Sequence, residues 1–142
     1  MNIEKMTEKL QEIFIKAYLM AKDLKNPEIS LEHILKMMFQ NDDIVSVLNK
    51  IKVNVNKLIS ICDDYISRQT VLDSIREPNI NIYVNNAYNE ALNTSYKNGD
   101  KYLGIFDMFI SCLYNNSSIS KQLQKELDIS WCIPCQVDTW NN

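Results

Sequence analysis

A sequence pattern that occurs twice constrains this chain more than any other feature. Each copy is a polar loop that ends in an apolar residue, Ile29 or Leu103, and leads directly into an amphipathic helix, so the copies lie 74 residues apart. The helices carry apolar residues at i, i+3, i+4, i+7 and i+8: Leu31, Ile34, Leu35, Met38 and Phe39 in the first, and Ile105, Met108, Phe109, Cys112 and Leu113 in the second. This spacing places each set on one side of its helix. Two such units in register indicate an internal duplication.

The duplication extends backwards from both loops. A longer apolar stripe with helical spacing precedes the first loop: Met6, Leu10, Ile13, Phe14, Ala17, Tyr18 and Ala21. The equivalent positions before the second loop are Ile80, Val84, Ala87, Tyr88, Ala91, Leu92 and Ser95. Six of these seven partners are apolar and the seventh is small, which predicts a long helix before each loop.

Glycine and proline are rare, with two and three among 142 residues, so few positions interrupt a helix. This composition predicts an all-α fold, and the length suits one domain with a single core. The net charge is −3 and no basic patch stands out, so nucleic acid is not an expected partner. No apolar run approaches the roughly 20 residues of a membrane span, and the first ten residues lack the apolar core of a secretory signal. We expect a cytoplasmic protein without a membrane partner.

Four helices are predicted in the first copy, at about residues 4–25, 31–40, 42–51 and 55–67. Ser30 is placed to cap the second, the turn Asn41-Asp42-Asp43 to cap the third, and either Asn54 or Asn56 to start the fourth. Periodicity fades over about 68–79, which predicts a linker.

The second copy repeats this order. Its long helix should end at Asn98-Gly99, its next should cover about 106–114, and Ser117 or Ser118 should cap the one after. Pro134 interrupts the last, so we expect an eighth helix that is short, displaced or missing. The predicted fold is a single all-α domain of two pseudo-symmetric four-helix repeats over 1–142. Its parts are repeat one at about 3–67, the linker, repeat two at about 80–130, and a divergent tail at 131–142.

The duplicated unit resembles a known family in two long strings. These are MTEKLQEIFIKAYLMAKDLKNPEISLEHILKMMF, with ISLEHIL at 29–35 as its core, and YNEALNTSYKNGDKYLGIFDMFISCL. Over about residues 3–130 the chain is similar to the N-terminal domain of the Clp/Hsp100 AAA+ unfoldases, and is most similar to the ClpB disaggregase type. Gly99-Asp100 before Tyr102-Leu103 is the counterpart of the core string in the second repeat.

The resemblance implies a binding domain above an ATPase ring. Its partners would be unfolded or aggregated client proteins, or adaptor proteins, held in a shallow apolar groove. The polar residues tied to that role correspond to Thr7 and Asp100. A third position, acidic in such relatives, corresponds to Phe106, with Asp107 beside it. This departure changes the charge pattern expected of the groove.

The chain contains no G-x-x-x-x-G-K-[ST] motif, so we do not expect it to be an enzyme or to hold a cofactor. ATP would be bound only by a parent AAA+ protein. Two alternatives stay open beside an excised ClpB-like domain. One is a free-standing regulator or adaptor of a Clp ATPase or protease. The other is a ClpC- or ClpA-type domain, which binds adaptors and, in ClpC relatives, phosphorylated arginine.

Other residues with chemical potential have ordinary explanations. Cys132 and Cys135 form a C-x-x-C pair, but two thiols are too few for a structural zinc site, and the predicted setting is an all-α chain end. Cys62 and Cys112 lie on apolar stripes, where a buried thiol is expected. His33 is the only histidine, and we expect it to bond the start of its helix or a neighbouring carbonyl group. No metal site is predicted.

Overall fold

The computed structural model describes residues 1–127, which contain seven α-helices, a short 3-10 turn and two short strands. The elements of the first repeat are the turn Ile3–Lys5, α1 (Glu8–Asp23), β1 (Glu28–Ile29), α2 (Leu31–Met38), α3 (Asp42–Lys50) and α4 (Val55–Ser67). Those of the second are β2 (Asn79–Ile80), α5 (Ile82–Lys97), α6 (Ile105–Leu113) and α7 (Ser118–Glu126). Residues 68–78 hold no helix.

The two repeats share one plan, in which α1, α2 and α3 correspond to α5, α6 and α7. The most extensive helix packing is between α5 and α6, followed equally by that of α2 with α1 and of α2 with α4. The first two helices of each repeat therefore pack against each other. The predicted fold class is therefore confirmed. The predicted eighth helix and the Cys132/Cys135 pair lie outside the described residues.

The repeats are joined by two crossed strand pairings that the sequence did not predict. Ile29 pairs in parallel with Ile80, and Met6 pairs in parallel with Leu103. The two pairings are equivalent in the duplicated fold, because Met6 corresponds to Ile80 and Ile29 corresponds to Leu103, in each case 74 residues later. The backbone bonds match as well: Asn81 N–H donates to the Ile29 carbonyl at 3.0 Å, and Thr7 N–H donates to the Leu103 carbonyl at 2.9 Å.

These pairings correct the predicted start of the first long helix. Met6 adopts extended backbone angles (φ −98°, ψ 150°), so the chain leaves the turn at Ile3–Lys5 before α1 begins at Glu8. Thr7 is the N-cap of α1, and not a residue inside the helix: its Oγ1 accepts from Leu10 N–H at 3.3 Å. Ile80 likewise lies in β2 and not on the helical stripe. Periodicity alone could not separate these residues from the helices that follow them.

The long helices end in equivalent turns. Lys25 and Gly99, which are related by the same shift, both have positive φ angles, 58° and 77°. In each case the next residue's N–H reaches back into the helix: Asn26 to the Ala21 carbonyl and Asp100 to the Ser95 carbonyl. This is the Schellman arrangement, for which glycine or asparagine is usual at the positive-φ position. The predicted stop at Asn98-Gly99 is confirmed.

The predicted caps of the shorter helices are also confirmed. Ser30, Asn41, Asn54 and Ser117 each accept a backbone N–H of the first turn that follows, which satisfies donors that the helix itself cannot.

The core lies between the repeats. Phe39 at the end of α2 meets Phe109 of α6 edge-on, with ring centroids 5.9 Å apart. Cys62 and Cys112 are buried and free, as predicted, and burial raises the pKa of both thiols to about 12. At that pKa neither thiol is a nucleophile near neutral pH.

The aromatic contact between Phe39 and Phe109 should contribute strongly to the free energy of unfolding. Replacing Phe109, which is 0% exposed, with alanine should lower the free energy of unfolding by about 3–5 kcal/mol, because the cavity cannot fully collapse. Ile82, which is 66% exposed, provides the matched control, and Ile82→Ala should change stability by about 0.5 kcal/mol at most. Urea denaturation followed by circular dichroism measures both, and equal losses would contradict the packing described.

Candidate binding groove

An apolar groove of about 250 Å³ opens on the surface of the first repeat. It is lined by residues of the N-terminal segment, α1 and the two strands: Met1, Ile3, Met6, Phe14, Ile15, Tyr18, Ile29 and Ile80. Met6, Phe14 and Ile29 are buried and form the floor, whereas Ile3 and Ile15 are 42% and 50% exposed. Among these eight lining residues, Tyr18 alone has a side chain that can donate a strong hydrogen bond, so the groove suits apolar side chains.

The exposed apolar surface continues along α1. Leu19 lies one turn after Ile15 and is also 50% exposed, so the two form a ridge beside the groove. The equivalent positions of α5 are Asn89 and Asn93, both exposed. The same structural positions therefore carry apolar residues in repeat one and amides in repeat two.

One end of the groove has a polar border. The Tyr18 hydroxyl donates to the Glu77 carboxylate, which also pairs with Lys22 Nζ at 2.8 Å. The hydrogen bonds from Lys22 and Tyr18 lower the pKa of Glu77, and that carboxylate raises the pKa of Lys22. This cluster fastens the segment between the repeats against α1, next to the groove.

The four residues predicted from the family resemblance lie near one another in the fold but do not line this groove. Thr7 is half-buried, and its side chain caps α1. Asp100 is exposed, and its backbone N–H closes the end of α5. Phe106 and Asp107 are half-buried in the first turn of α6. Thr7 follows the floor residue Met6, and its N–H bonds the Leu103 carbonyl, which precedes α6 by two residues. Their role in binding remains a prediction.

Sequence reasoning missed Ile3 and Ile15 as site residues. Ile15 falls off the buried stripe of its helix, and its counterpart in the second copy is polar. The sequence signal that could have indicated Ile15 was an apolar residue outside the buried stripe in one repeat, with a polar residue at the equivalent position of the other.

His33 is fully buried in a hydrogen-bond network and has a structural role, as predicted. Its Nδ1 accepts from Ser30 N–H at 3.0 Å while Ser30 Oγ caps His33 N–H, which forms a reciprocal capping box. Nε2 therefore carries the proton and donates to Asn26 Oδ1 at 3.0 Å. The network connects the start of α2 to the beginning of the preceding loop, where Asn26 follows the end of α1.

The same network holds the segment that follows α4. Asn26 Nδ2 donates to the Thr70 carbonyl at 3.0 Å, and Gln69 Nε2 donates to Ser30 Oγ and Glu32 Oε2 at 2.8 and 2.6 Å. Burial, and secondarily the Lys36 charge, lower the pKa of His33 from 6.5 to about 4. The imidazole is thus neutral near pH 7, and both its nitrogens are occupied.

Residues 1–127 contain neither a candidate metal centre nor a membrane-spanning helix. No group of three or more histidine, cysteine, aspartate or glutamate side chains there could hold a metal ion. Over the same residues, each helix is too short or too polar to cross a membrane.

Residues 1–127 form a duplicated helical domain with an apolar groove on its surface. Residues 5–127 match the family described as the Clp repeat (R) N-terminal domain, and the chain belongs to that family. The domain of this family is non-catalytic.

Relatives of known identity agree. A 69-residue stretch is 35% identical to the chaperone protein ClpB of Leptolyngbya boryana, and covers 48% of this chain but only 8% of that protein. The N-domain of ClpV from Vibrio cholerae superposes with a TM-score of 0.74 at 21% identity, covering 88% of this chain and 78% of that one. The Hsp104 N-terminal domain from Candida albicans has a TM-score of 0.77 at 15% identity, covering 87% and 82%. A ClpV N-domain in complex with a VipB peptide has a TM-score of 0.70 at 18% identity, covering 88% and 80%.

The His33 network makes stability depend on pH in a defined direction. Because the pKa of His33 is lower in the folded chain, the unfolded chain binds more protons between about pH 6.5 and pH 4. The contribution is present above about pH 6.5 and is lost as pH falls towards 4, a loss on the order of 2–3 kcal/mol. His33→Gln, although less stable at neutral pH, should lose less over this range in urea titrations. Parallel pH profiles for both proteins would contradict this assignment.

Proposed function

We propose that this domain captures apolar segments of unfolded or aggregated proteins for a ClpB-like Clp/Hsp100 unfoldase. The observation that most strongly supports this proposal is the apolar groove beside α1, which exposed Ile15 helps to line. The partners are client proteins or adaptors, and the AAA+ ring would belong to a parent or partner ATPase. The stretch matched to ClpB is a small part of that chaperone, so the ring and its activity belong to the proposal.

The duplication provides an internal comparison that supports a binding role for the groove. Repeat two builds the same helix with Asn89 and Asn93 where repeat one has Ile15 and Leu19. The fold therefore does not need apolar side chains at these positions. Exposing them costs solubility without adding to the core, and contiguous exposed apolar surface is typical of interaction sites.

The construction of the groove floor also suits binding. The crossed strand pairings hold the floor residues Met6 and Ile29, which come from the first repeat, and the half-buried lining residue Ile80, which comes from the second. A floor made of paired backbone is formed before a ligand arrives, which limits the ordering cost of binding. Its small size predicts weak affinity for one segment, and several domains on one ring would raise the effective affinity.

The nature of the ligand is supported by the groove's chemistry and by one relative. Flexible methionine and branched isoleucine side chains accept varied apolar shapes, which suits a site without strict sequence preference. The solved complex of a ClpV N-domain with a VipB peptide shows a domain of this fold holding a peptide. For this chain we also propose a polypeptide ligand, and the lining of the groove favours an apolar segment.

Capture should depend on the apolar character of Ile15. We expect Ile15→Asp to weaken binding of permanently unfolded (reduced and carboxymethylated) lysozyme by about tenfold, because a charge beside the groove must be desolvated. Asn89→Asp places the same charge at the equivalent position of α5 and should bind like the original chain. Titrations followed by the NMR signals of the isoleucine and methionine methyl groups measure both, with native lysozyme as the folded control.

Shifts confined to the groove and seen only with the unfolded ligand would support the proposal. Equal binding by the two aspartate variants, or shifts centred elsewhere, would refute the groove assignment.

The family-derived residues Thr7, Asp100, Phe106 and Asp107 are proposed as a second, polar part of the binding surface. Asp100 contributes only its backbone to the described contact that ends α5, so Asp100→Asn should leave the fold unchanged. We expect about threefold weaker capture, since a charged hydrogen-bond acceptor becomes neutral. Thr7→Ser keeps the hydroxyl group that caps α1 and, as the conservative control, should bind like the original chain. Unchanged binding by Asp100→Asn would remove Asp100 from the site.

A further inference from the structure

We infer that Tyr88, a buried residue of the second repeat, is a positioning residue for the groove in the first. Its hydroxyl group holds the N-terminal segment, residues 1–5, in the place where Met1 and Ile3 form one wall of the groove. This inference rests on the proposed function, since it concerns the affinity of that same groove.

The contact is a two-way hydrogen bond to one residue. Asn2 N–H donates to the Tyr88 hydroxyl at 3.3 Å, and the hydroxyl donates to the Asn2 carbonyl at 3.1 Å. Tyr88 is 2% exposed, so its ring is held in the core and only the hydroxyl reaches the segment. Both backbone groups of Asn2 are thereby fixed between the two wall residues Met1 and Ile3.

Within the segment, Lys5 N–H donates to the Asn2 carbonyl at 3.2 Å and Met6 N–H to the Ile3 carbonyl at 3.0 Å, which closes the 3-10 turn. Apart from Tyr88, the contacts described here that join the segment to other elements act at its far end. Leu103 N–H donates to the Lys5 carbonyl at 2.7 Å, and the Lys5 ammonium lies over the Tyr96 ring, 5.6 Å from its centroid. These contacts fix residues 5 and 6, which lead into α1. Met1 and Ile3 lie beyond them, and Ile3 is 42% exposed, so its own burial holds it only partly.

The duplication shows that the fold does not require this hydroxyl group. The position equivalent to Tyr88 in repeat one is Phe14, which is also buried and packs without a hydroxyl. The aromatic ring is therefore the structural element, and the hydroxyl is an addition of repeat two. What it adds is the contact to Asn2, and through Asn2 the wall of the groove in the other repeat.

Groove affinity should then follow the fraction of molecules in which the segment is in place, because a ligand binds the complete groove better than one lacking a wall. Removing the hydroxyl group forfeits two hydrogen bonds of modest net strength. We expect Tyr88→Phe to weaken binding of reduced and carboxymethylated lysozyme by about five- to tenfold. The midpoint of thermal unfolding should remain close to that of the original chain, as the Phe14 comparison indicates.

A direct readout separates positioning from general destabilisation. In Tyr88→Phe, NMR relaxation should show increased motion at residues 1–4 and unchanged motion in α1 and α5. Tyr83→Phe is the matched control, since it removes a hydroxyl group from the same helix at a side chain that is 43% exposed and does not line the groove. It should change neither the motion of the segment nor the affinity.

A double-mutant cycle with Ile3→Ser tests the route of the effect. If Tyr88 acts through the wall, Tyr88→Phe should weaken binding by less than about twofold once Ile3 has been replaced. An equal effect in both backgrounds, or unchanged binding by Tyr88→Phe in the original chain, overturns the inference. If the original chain itself fails to bind the unfolded ligand, the proposed function has failed instead; increased motion of residues 1–4 in Tyr88→Phe would still support the positioning contact, and unchanged motion would refute it.

Discussion

The crossed pairing of Met6 with Leu103 and of Ile29 with Ile80 is the constraint on which the rest of the structure depends. Each pairing uses one residue before a long helix and one residue before the short helix of the other repeat. The backbone donors and acceptors of four connecting segments are thereby satisfied inside the domain, where water could not satisfy them. The positions of α1, α2, α5 and α6 follow, since each begins within two residues of a paired position.

Duplication followed by divergence accounts for the asymmetry between the two halves. Most buried positions kept apolar residues in both copies, because both copies face one core; Ala21 and its buried counterpart Ser95 are an exception. At exposed positions the copies differ: the outer face of α1 carries Ile15 where α5 carries Asn89. Phe14 and Tyr88 show the same divergence at a buried position. The hydroxyl group of Tyr88 connects its buried ring to the N-terminal segment by a hydrogen bond, and Phe14 has no such group. The binding surface proposed for this domain therefore lies in the differences between the repeats, whereas the fold lies in what they share.

The sole histidine shows that a titratable residue can have a structural role and take no part in chemistry. His33 is surrounded by partners that complete its hydrogen bonds, and it connects the loop before α2 with the segment after α4. Burial keeps it neutral and removes it from solvent. The network holds the segment between the repeats against the first repeat. Glu77 of the same segment lies at the border of the groove, where its carboxylate accepts a hydrogen bond from Tyr18.

The sequence predicted the duplication, the buried stripes, the shorter helices and the caps of α2, α3, α4 and α7, because each depends on residues close together in the chain. It placed the start of the first long helix too early. Ser30 and Asn98-Gly99 identify helix ends locally, and the 3.6-residue period identifies the buried faces. Only the tertiary structure decided the strand pairings and the groove. Met6 continues the helical period and yet adopts an extended conformation, since its partner Leu103 is distant in sequence. The groove likewise combines residues from the chain start, α1 and the second repeat, and no local pattern brings those surfaces together.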